Sequence, residues 1–392
     1  MRILHLVRSC NPKDGGPIEV VKHLGLEFIE IGVSVEVASL DSPDSPWVKS
    51  FPLPVHPLGP AYTNYGYSRL LLPWLRQHAP RFDIVVANGI WQYHSLAAWR
   101  LHRATGIPYV VFPHGMLDPW FKRYYPMKHV KKWLYWPWAE YRVLRDASAV
   151  IFTSEEERVQ ARQSFWLYRC REQVINYGTA PPPPEEPGAR TRLFERFPSL
   201  AGKRLILFLG RIHEKKGPDL LIRSFARAVR TGGAGTSAWH LVLAGPPVTE
   251  RYKGRLEQLI GRLALTDRVT WTGMLTGADK WAALRGADAL ALPSHQENFG
   301  VVVAEALGCG VPVLISNKVN IWREVLGDGA GLVEPDDQAG TDRLLASWAV
   351  ISEPDRARMR VSARQCFVRR FDVRNTAKQL AAFLEPLAVD PH

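Results

Sequence analysis

The stretch PSHQENFGVVVAEALGCGVPVLIS, from Pro293 to Ser316, decides how this chain folds. It follows a short apolar run at 288–292 and ends in a second apolar run at 311–315, and both runs have the character of buried strands. The segment between them, about ten residues long, is rich in the helix formers Ala, Glu and Leu. A strand, a loop, a helix and a strand in this order predict two parallel neighbouring strands joined by a crossover.

The loop of this unit places polar side chains at the carboxyl end of the first strand, where open parallel sheets bind ligands. We expect the helix to begin near Gly300, so its free N–H groups favour a phosphate that can approach the glycine backbone closely. Glu297 and Glu305 offer only acceptors, which suit hydroxyl groups rather than phosphate. The two glutamates alone are more typical of a solvated helix face, but a phosphate flanked by such acceptors describes a nucleotide sugar.

The whole pattern resembles the signature of the retaining glycosyltransferases of family GT4. The chain supplies its residues in order: Pro293, Ser294, Glu297, Phe299, Gly300, Glu305, Ala306, Gly310, Pro312 and Val313. Asn298 departs from the pattern, because many members have glycine there, and we expect it to alter contacts with the donor sugar.

A second motif follows the apolar run 204–209. Arg211 and Lys216 lie at the end of this predicted strand, before a helix, where a planar guanidinium and an ammonium can clamp a diphosphate. A basic solvated loop is the plainer interpretation. The pattern Gly-Arg-x4-Lys-Gly also resembles the second motif of GT4, which implies that Arg211 and Lys216 bind the pyrophosphate.

The first half of the chain carries candidates at other predicted strand ends. Gly15 and Gly16 form a glycine turn without the Gly-x-Gly-x-x-Gly fingerprint of dinucleotide binding, and a plain tight turn is one interpretation. The resemblance implies that this turn faces the donor phosphates and the acceptor across the cleft. Asn88 and Trp91 follow one strand, and His114 follows the next. A lone histidine is more often structural, but the resemblance implies that His114 contacts the donor sugar or the acceptor.

The resemblance therefore implies a complete set of site residues. Catalysis is assigned to Arg211, Lys216, Glu297 and His114. Donor binding is assigned to Gly15, Gly16, Arg211, Lys216, Gly273, Met274, Glu297, Asn298, Phe299, Gly300 and Glu305. Acceptor binding is assigned to Asn88, Trp91 and His114. No Asp-x-Asp motif is visible in the sequence, so we expect neither a metal nor another cofactor.

The length of 392 residues suits two domains, and the proline run at 181–184 predicts a stiff linker between them. The resemblance implies the α/β fold called GT-B, with two Rossmann-like domains whose parallel sheets face each other across a cleft. We therefore expect an acceptor-binding domain at 1–180, a nucleotide-sugar domain at 181–372 and a C-terminal helix at 373–392 that crosses back to the first domain.

Composition limits the cellular setting. The chain carries 50 basic and 38 acidic residues, a net charge of +12, which favours anionic partners. Four scattered cysteines give no zinc or disulfide pattern, and no apolar run is long enough to span a membrane. We expect a cytoplasmic protein that binds no nucleic acid.

The segment 120–145 is unusually rich in Trp, Tyr, Lys and Arg. It predicts peripheral docking on an anionic membrane surface, with Trp120, Trp133, Trp136 and Trp138 among the interfacial aromatic residues. An ordinary structural helix pair with a solvated basic face is the alternative.

These observations predict retaining transfer of a hexose from a nucleotide-diphosphate sugar to a hydroxyl group, on a glycan or lipid-linked acceptor in bacterial cell-surface polysaccharide assembly. Two alternatives stay open. A nucleotide-sugar epimerase shares the fold, but no acid and base pair stands out in the sequence. A non-catalytic nucleotide-sugar-binding protein would not need both motifs intact.

Overall fold

The computed structural model describes residues 1–12, 16–119, 126–231 and 233–389. The chain divides into two compact units. The first unit is Met1–Ala180 together with the C-terminal segment that starts at Asp372, and the second is Pro181–Phe371. Each unit is built on one sheet whose strand pairs run parallel. The predicted α/β class with two parallel sheets is confirmed.

The sheet of the first unit has seven strands. They are β1 (Arg2–Val7), β2 (Ser34–Ser39), β3 (Val55–Pro57), β4 (Ile84–Asn88), β5 (Tyr109–Phe112), β6 (Ala149–Phe152) and β7 (Glu172–Val174). Their order is β3-β2-β1-β4-β5-β6-β7, so the direction of winding reverses between β1 and β4. Loops that leave the carboxyl ends of these two strands diverge, and a ligand site is expected there.

The segment 41–66 is rich in Pro, Ser and Tyr, which predicts irregular structure. For the three residues of edge strand β3 this prediction is wrong. All three residues of β3, Val55, His56 and Pro57, pair with β2 on one side and are half-buried. A three-residue edge strand with no fully buried position leaves too weak an apolar pattern to be recognised.

The sheet of the second unit has six strands. They are β8 (Arg204–Leu209), β9 (Trp239–Ala244), β10 (Val269–Gly273), β11 (Ala289–Leu292), β12 (Val313–Ser316) and β13 (Gly331–Glu334). Their order is β10-β9-β8-β11-β12-β13, with the reversal between β8 and β11. Strands β11 and β12 are parallel neighbours, as the quoted stretch predicts, and every residue in them is buried.

Helices cover the sheets. In the first unit these are α1 (Gly16–Glu30), α2 (Pro46–Lys49), α3 (Leu71–His78), α4 (Tyr93–Thr105), α5 (Pro126–Tyr135), α6 (Glu140–Arg145) and α7 (Glu155–Ala161). In the second unit they are α8 (Ala189–Arg196), α9 (Pro218–Thr231), α10 (Glu250–Arg262), α11 (Gly277–Gly286), α12 (Val301–Gly308), α13 (Trp322–Gly327), α14 (Gln338–Val350) and α15 (Glu353–Cys366). The last helix, α16 (Val373–Val389), belongs to the first unit and packs against α1.

Helix α1 buries a narrower stripe than its sequence suggests. The sequence favours burial of Leu26 and Ile29, but these side chains are 39% and 48% exposed. Ile18, Val21 and Phe28 are buried, because positions three or four residues apart share one helix face. The expectation for Leu26 and Ile29 is therefore wrong.

Trp136, one of the predicted interfacial residues, is also a core residue. It has no exposed surface and stacks on Phe165 with ring centroids 4.6 Å apart. Its indole N–H donates to the Trp166 carbonyl at 2.9 Å, which satisfies its polar group inside the first unit. The prediction that Trp136 meets a membrane is wrong, and Trp120 lies outside the described residues.

We predict that Gly245→Ala weakens the second unit. Gly245 follows β9 with φ of +145°, and a Cβ there would lie 1.9 Å from the Gly210 carbonyl oxygen after β8. Backbone strain and the clash together should lower the free energy of unfolding by about 3 kcal/mol or more. Urea unfolding of the variant and the parent measures this loss.

Gly254→Ala provides the matched control. Gly254 lies in α10, and a Cβ there would meet no other atom within 4 Å. Alanine should stabilise that helix by up to about 1 kcal/mol. If the two alanine variants shifted the unfolding midpoint alike, the close approach at Gly245 would have no energetic importance.

Candidate functional site

The quoted loop ends as the sequence predicts. Gly300 precedes α12 with φ of +75°, a conformation that favours glycine, and the helix begins at the next residue. The free N–H groups at the amino end of α12 therefore point towards the loop that carries Glu297. Two backbone hydrogen bonds hold this loop, from the Glu297 N–H to Lys318 and from the Asn320 N–H to Glu297.

The two sequence motifs of the second unit are in direct contact. A Cβ at Gly217 would lie 2.3 Å from the Pro293 carbonyl oxygen, so the loop after β8 and the loop after β11 approach backbone to backbone. The His295 N–H donates to the Lys215 carbonyl at 2.8 Å. As a result, the Lys216 ammonium forms an ion pair with the Glu297 carboxylate.

The Lys216 ammonium is held in a place that favours anions. Burial, together with the charges of Lys215 and Arg211, lowers the pKa of Lys216 to about 8. Three cationic groups thus act on one another within the same loop. Arg211 is exposed. Such a cluster attracts a polyanion, because an added negative charge offsets both the desolvation and the mutual repulsion.

Glu305 is paired with a residue that the sequence analysis missed. Lys280, on α11, donates to Glu305 Oε1 at 2.6 Å. Burial raises the pKa of Glu305, and the Lys280 charge acts in the opposite direction. Lys280 belongs to no recognisable motif, and its nearest signal is its position soon after the Gly273–Met274 turn.

The remaining predicted donor residues differ in their surroundings. Met274 is 66% exposed beside Gly273, whose φ is +67°. The amide oxygen of Asn298 accepts from Asn320 at 3.4 Å. Phe299 is buried against Phe371, with ring centroids 5.7 Å apart, so it supports the loop from beneath.

In the first unit, Asn88 at the end of β4 collects three histidines. Its side-chain nitrogen lies 3.1 Å from His5 Nδ1, and its side-chain oxygen lies 3.4 Å from His114 Nε2. Its backbone carbonyl oxygen accepts from His94 Nε2 at 2.8 Å. The Asn88 amide nitrogen also faces the carbonyl oxygens of Leu6 and Val86, which can only accept. Therefore the Asn88 side-chain oxygen faces His114, and His114 Nε2 carries the proton.

All three imidazoles are uncharged at neutral pH. Burial lowers the pKa of His5 and of His94 to about 4, and it lowers the pKa of His114 to about 3 with help from the other two histidines. His114 also has a left-handed backbone, with φ of +52°, and its ring lies 5.5 Å from that of Tyr177. A neutral imidazole can exchange hydrogen bonds with hydroxyl groups but brings no charge.

The loop that follows His114 rests on Glu157, which the sequence analysis did not assign to the site. Ser154 and Glu157 have the spacing of a helix-capping box, and Ser154 caps α7 by accepting from the Glu157 N–H at 3.1 Å. However, the Glu157 carboxylate accepts from the Gly115 N–H at 2.6 Å and from the Thr153 N–H at 2.7 Å. The spacing of Ser154 and Glu157, which is typical of a helix cap, therefore also identifies Glu157 as a residue that positions the His114 loop.

Trp91, a predicted acceptor residue, is anchored within the first unit. Its φ is +67°, its backbone N–H donates to the buried Glu140 at 2.9 Å, and its indole N–H donates to the Met116 carbonyl at 3.2 Å. Burial raises the pKa of Glu140 to about 7. The Trp91 indole N–H is therefore already used, and its role in acceptor binding stays a prediction that rests on its ring.

A cavity of about 220 Å³ opens at the carboxyl ends of β1 and β4. It is lined by Val7, Arg8, Ser9, Pro17, Ile18, Asn88, Gln92 and Met116. Arg8 and Gln92 were not predicted, because neither belongs to a motif. Gly16 begins α1 nearby in sequence, and Gly15 lies outside the described residues. Within the described ranges, no three His, Cys, Asp or Glu side chains are placed to hold a metal ion.

Two parallel sheets, each with a ligand loop at its winding reversal, define the architecture of the GT-B fold. The family model for group 1 glycosyl transferases matches residues 189–365, and the model for the glycosyl transferase 4-like domain matches residues 15–178. Together they span most of the chain. The chain belongs to the group 1 glycosyl transferases, family GT4, as the motifs predict.

Similar proteins share parts of this sequence. The D-inositol 3-phosphate glycosyltransferase of Xylanimonas cellulosilytica is 32% identical over 238 residues, 57% of this chain and 54% of that protein. The alpha-D-kanosaminyltransferase of Streptomyces kanamyceticus is 29% identical over 201 residues, half of each chain. The match thus spans about half the length of these curated relatives.

Likeness to solved structures extends over the full fold. The crystal structure of Anabaena HepE in complex with UDP has a TM-score of 0.76, with 98% of this chain and 100% of that chain covered at 20% identity. At this identity the likeness shows the fold alone, and it confirms the GT-B architecture.

We predict that the first unit loses stability as the pH falls below 6.5. The unfolded chain then takes up protons on His5, His94 and His114, whereas the folded chain takes them up only near their lowered pKa values of about 4, 4 and 3. Each histidine should cost up to about 1.4 kcal/mol per pH unit in this window. Glu140, whose pKa burial raises to about 7, takes up a proton in the folded chain first and should offset about one of the three histidines. Urea unfolding at pH 7.0 and 5.5 measures the change.

His94→Gln should reduce this pH dependence by the contribution of one histidine, up to about 1.4 kcal/mol per pH unit. His213→Gln, which changes an exposed histidine of the second unit, should leave it unchanged. An identical pH dependence in His94→Gln and the parent would mean that the buried histidines do not control acid stability.

Proposed function

We propose that this protein is a retaining glycosyltransferase that moves a hexosyl group from a nucleotide-diphosphate sugar to a hydroxyl group. The observation that carries the proposal is the contact between the two motif loops. It brings the Lys216 ammonium, with Arg211 beside it, onto the Glu297 carboxylate next to the amino end of α12. Cationic side chains, free backbone N–H groups and a carboxylate that can accept hydrogen bonds from sugar hydroxyl groups thus lie at one edge of the second sheet.

Each group has a task in this proposal. Arg211, Lys216 and the N–H groups after Gly300 bind the diphosphate. Glu297 accepts hydrogen bonds from the hydroxyl groups of the transferred sugar. Glu305, whose charged form is favoured by the hydrogen bond from Lys280, accepts from the ribose hydroxyl groups. When the diphosphate forms an ion pair with the Lys216 ammonium, the Glu297 carboxylate is released from its own ion pair and can accept hydrogen bonds from the sugar.

The chemical step needs stabilisation of the departing diphosphate. As the bond between the anomeric carbon and the phosphate oxygen breaks, negative charge grows on the diphosphate, where Lys216 and Arg211 are already in place. The acceptor oxygen bonds to the anomeric carbon from the same face, and its proton passes to the departing phosphate oxygen. Retention of configuration follows from this geometry, and we propose that the reaction uses no metal.

The acceptor is assigned to the first unit. The cavity at the ends of β1 and β4 carries hydrogen-bonding groups from Arg8, Asn88 and Gln92, and the neutral His114 lies beside Asn88. These groups suit a hydroxylated acceptor, and we propose a lipid-linked glycan of cell-surface polysaccharide assembly. A UDP-sugar is our first choice of donor, because UDP is bound in the similar Anabaena structure.

An epimerase is the alternative that the same fold allows. It would interconvert nucleotide sugars without an acceptor and would need an acid and a base at the sugar. The two candidate carboxylates, Glu297 and Glu305, are instead each paired with a lysine. Product analysis separates the two reactions, because only a transferase makes its turnover depend on an acceptor.

We predict that Lys216→Ala lowers kcat by roughly a hundredfold or more, because one preorganised group facing the leaving diphosphate is lost. The donor KM should change less, since the charge is largest in the transition state. The assay follows release of nucleoside diphosphate from UDP-, GDP- and ADP-sugars, with and without a glycolipid acceptor. Lys253→Ala, which removes a lysine paired with Glu257 on α10, is the control.

Two results would count against the proposal. An unchanged kcat in Lys216→Ala would show that this lysine is only a surface charge. Turnover of no nucleotide sugar by the parent, despite tight binding of one, would favour a binding protein.

The proposed lipid-linked acceptor requires that the protein reach a membrane surface. No helix in the described part of the chain is long and apolar enough to cross one. The first unit does present an apolar surface patch, which we define by Met127, Val130, Trp133, Leu134, Trp138, Trp166 and Leu167. Trp133 and Trp166 lie with ring centroids 5.7 Å apart, so α5 and the loop after α7 contribute to one patch.

The basic residues of this region divide into two groups. Lys131 is exposed beside the patch. The Lys132 ammonium lies 4.8 Å from the Trp91 ring centroid and serves the first unit internally. Exposed aromatic and aliphatic side chains beside a positive charge are typical of a peripheral membrane surface.

We predict that the parent co-sediments with liposomes containing anionic lipid, and that binding weakens at high salt without disappearing, because apolar insertion is not screened. The variant Trp133→Ser, Leu134→Ser, Trp138→Ser should lose the salt-resistant part. The matched control changes three exposed valines of the second unit, Val350, Val361 and Val368, to Ser. Equal sedimentation of all three proteins would contradict the proposal.

A further inference from the structure

A second cavity, of about 380 Å³, opens at the amino ends of strands of the first sheet, at the edge opposite to the carboxyl ends that carry Asn88 and His114. Three of its lining residues, Pro108, Ser148 and Arg171, directly precede β5, β6 and β7. His114, in contrast, follows the carboxyl end of β5. The cavity at the amino ends is therefore separate from the acceptor cavity, and nothing in the proposed transfer reaction uses it.

The lining of this cavity is predominantly basic. It includes His102, Arg103, Arg145 and Arg171, with Asp146 as the acidic residue. Even with the histidine neutral, three guanidinium groups face one carboxylate. The surplus positive charge comes from three separate stretches of the chain, which the fold brings together.

The Asp146 carboxylate is already fully engaged. Arg145 donates to both of its oxygens, at 2.6 and 2.9 Å, and the Trp99 indole N–H donates at 2.8 Å. These bonds lower the pKa of Asp146, and the charge of Arg103 lowers it further. Asp146 therefore stays ionised and pairs with Arg145, and it forms no ion pair with the other two arginines of the cavity.

Donors without acceptors remain at the cavity wall. Within the described ranges, the side chains of Arg103, Arg171 and Ser148 form no hydrogen bond or ion pair. His102 donates from Nδ1 to the Ile107 carbonyl at 2.9 Å, so Nε2 of the neutral ring has a lone pair and is not one of these donors. The end of α4 would favour nearby cations through its dipole, but that explains only His102 and Arg103. Arg171 and Ser148 come from other elements.

We propose that this cavity is a binding site for a phosphate monoester. A dianionic phosphate offers the several acceptor oxygens that two planar guanidinium groups and a hydroxyl can satisfy together. The volume lies in the range of about 300–1,000 Å³ that small-molecule sites occupy, so the ligand carries a sugar-sized group as well as its phosphate.

The test is calorimetric titration with glucose 6-phosphate, with glucose as the uncharged control. The titrations use Lys216→Ala as the background, because that change weakens phosphate binding at the proposed donor site. We expect one binding event, present with glucose 6-phosphate and missing with glucose. Arg103→Gln with Arg171→Gln should weaken it by about tenfold or more, since charged hydrogen bonds are lost.

Arg69→Gln with Arg76→Gln is the matched control, because it removes the same charge from exposed positions of the same unit. It should bind as the background does. A second arm replaces the sugar phosphate with liposomes containing phosphatidate, whose headgroup presents the same chemistry. Binding that depends on Arg103 and Arg171 only in this arm would assign the site to a lipid headgroup.

Hydrogen exchange localises the site independently of affinity. Glucose 6-phosphate should slow exchange at 106–108 and 145–148, and not at 211–217. If neither ligand bound in a way that depended on Arg103 and Arg171, the proposal would be overturned. Donor turnover by the parent is a separate measurement, so failure here leaves the proposed transfer reaction standing.

Discussion

The backbone approach of Gly217 to Pro293 is the constraint on which the proposed donor site depends. Because the winding of the second sheet reverses between β8 and β11, the loops after these two strands leave in different directions yet start side by side. Glycine at 217, with φ of +67°, lets them touch. That contact pairs Lys216 with Glu297, although the two residues are far apart in sequence. A side chain at 217 would separate the two motifs before any ligand is involved.

The sequence predicted this half of the molecule well because its signals are local. The apolar runs before Pro293 and after Gly310 could be read as buried parallel strands, and Gly300 marked the start of α12. Lys280 was missed because its importance comes from proximity to Glu305, which only the folded sheet creates. Charge pairs between distant elements leave no periodic or spacing signal.

The first unit was harder to predict for the same reason. Asn88 and His114 were recognised as strand-end residues, but the part played by His5 could not be, because a histidine inside an apolar strand has no motif. Trp136 was misassigned because aromatic residues that fill a core and those that meet a membrane have the same composition. Burial distinguishes them, and burial depends on packing against partners such as Phe165.

The groups around Glu297 and the groups around Asn88 differ in charge, and this fits the division of labour that we propose. In the second unit, Glu297 and Glu305 are each neutralised by a lysine, while burial and neighbouring cations lower the pKa of Lys216. A diphosphate would relieve that repulsion, so the strongest electrostatic gain is kept for the charged donor. In the first unit, burial keeps the histidines around Asn88 neutral. Such groups can exchange hydrogen bonds with the hydroxyl groups of the proposed acceptor without adding positive charge of their own, so Lys216 and Arg211 keep the advantage in binding the proposed diphosphate.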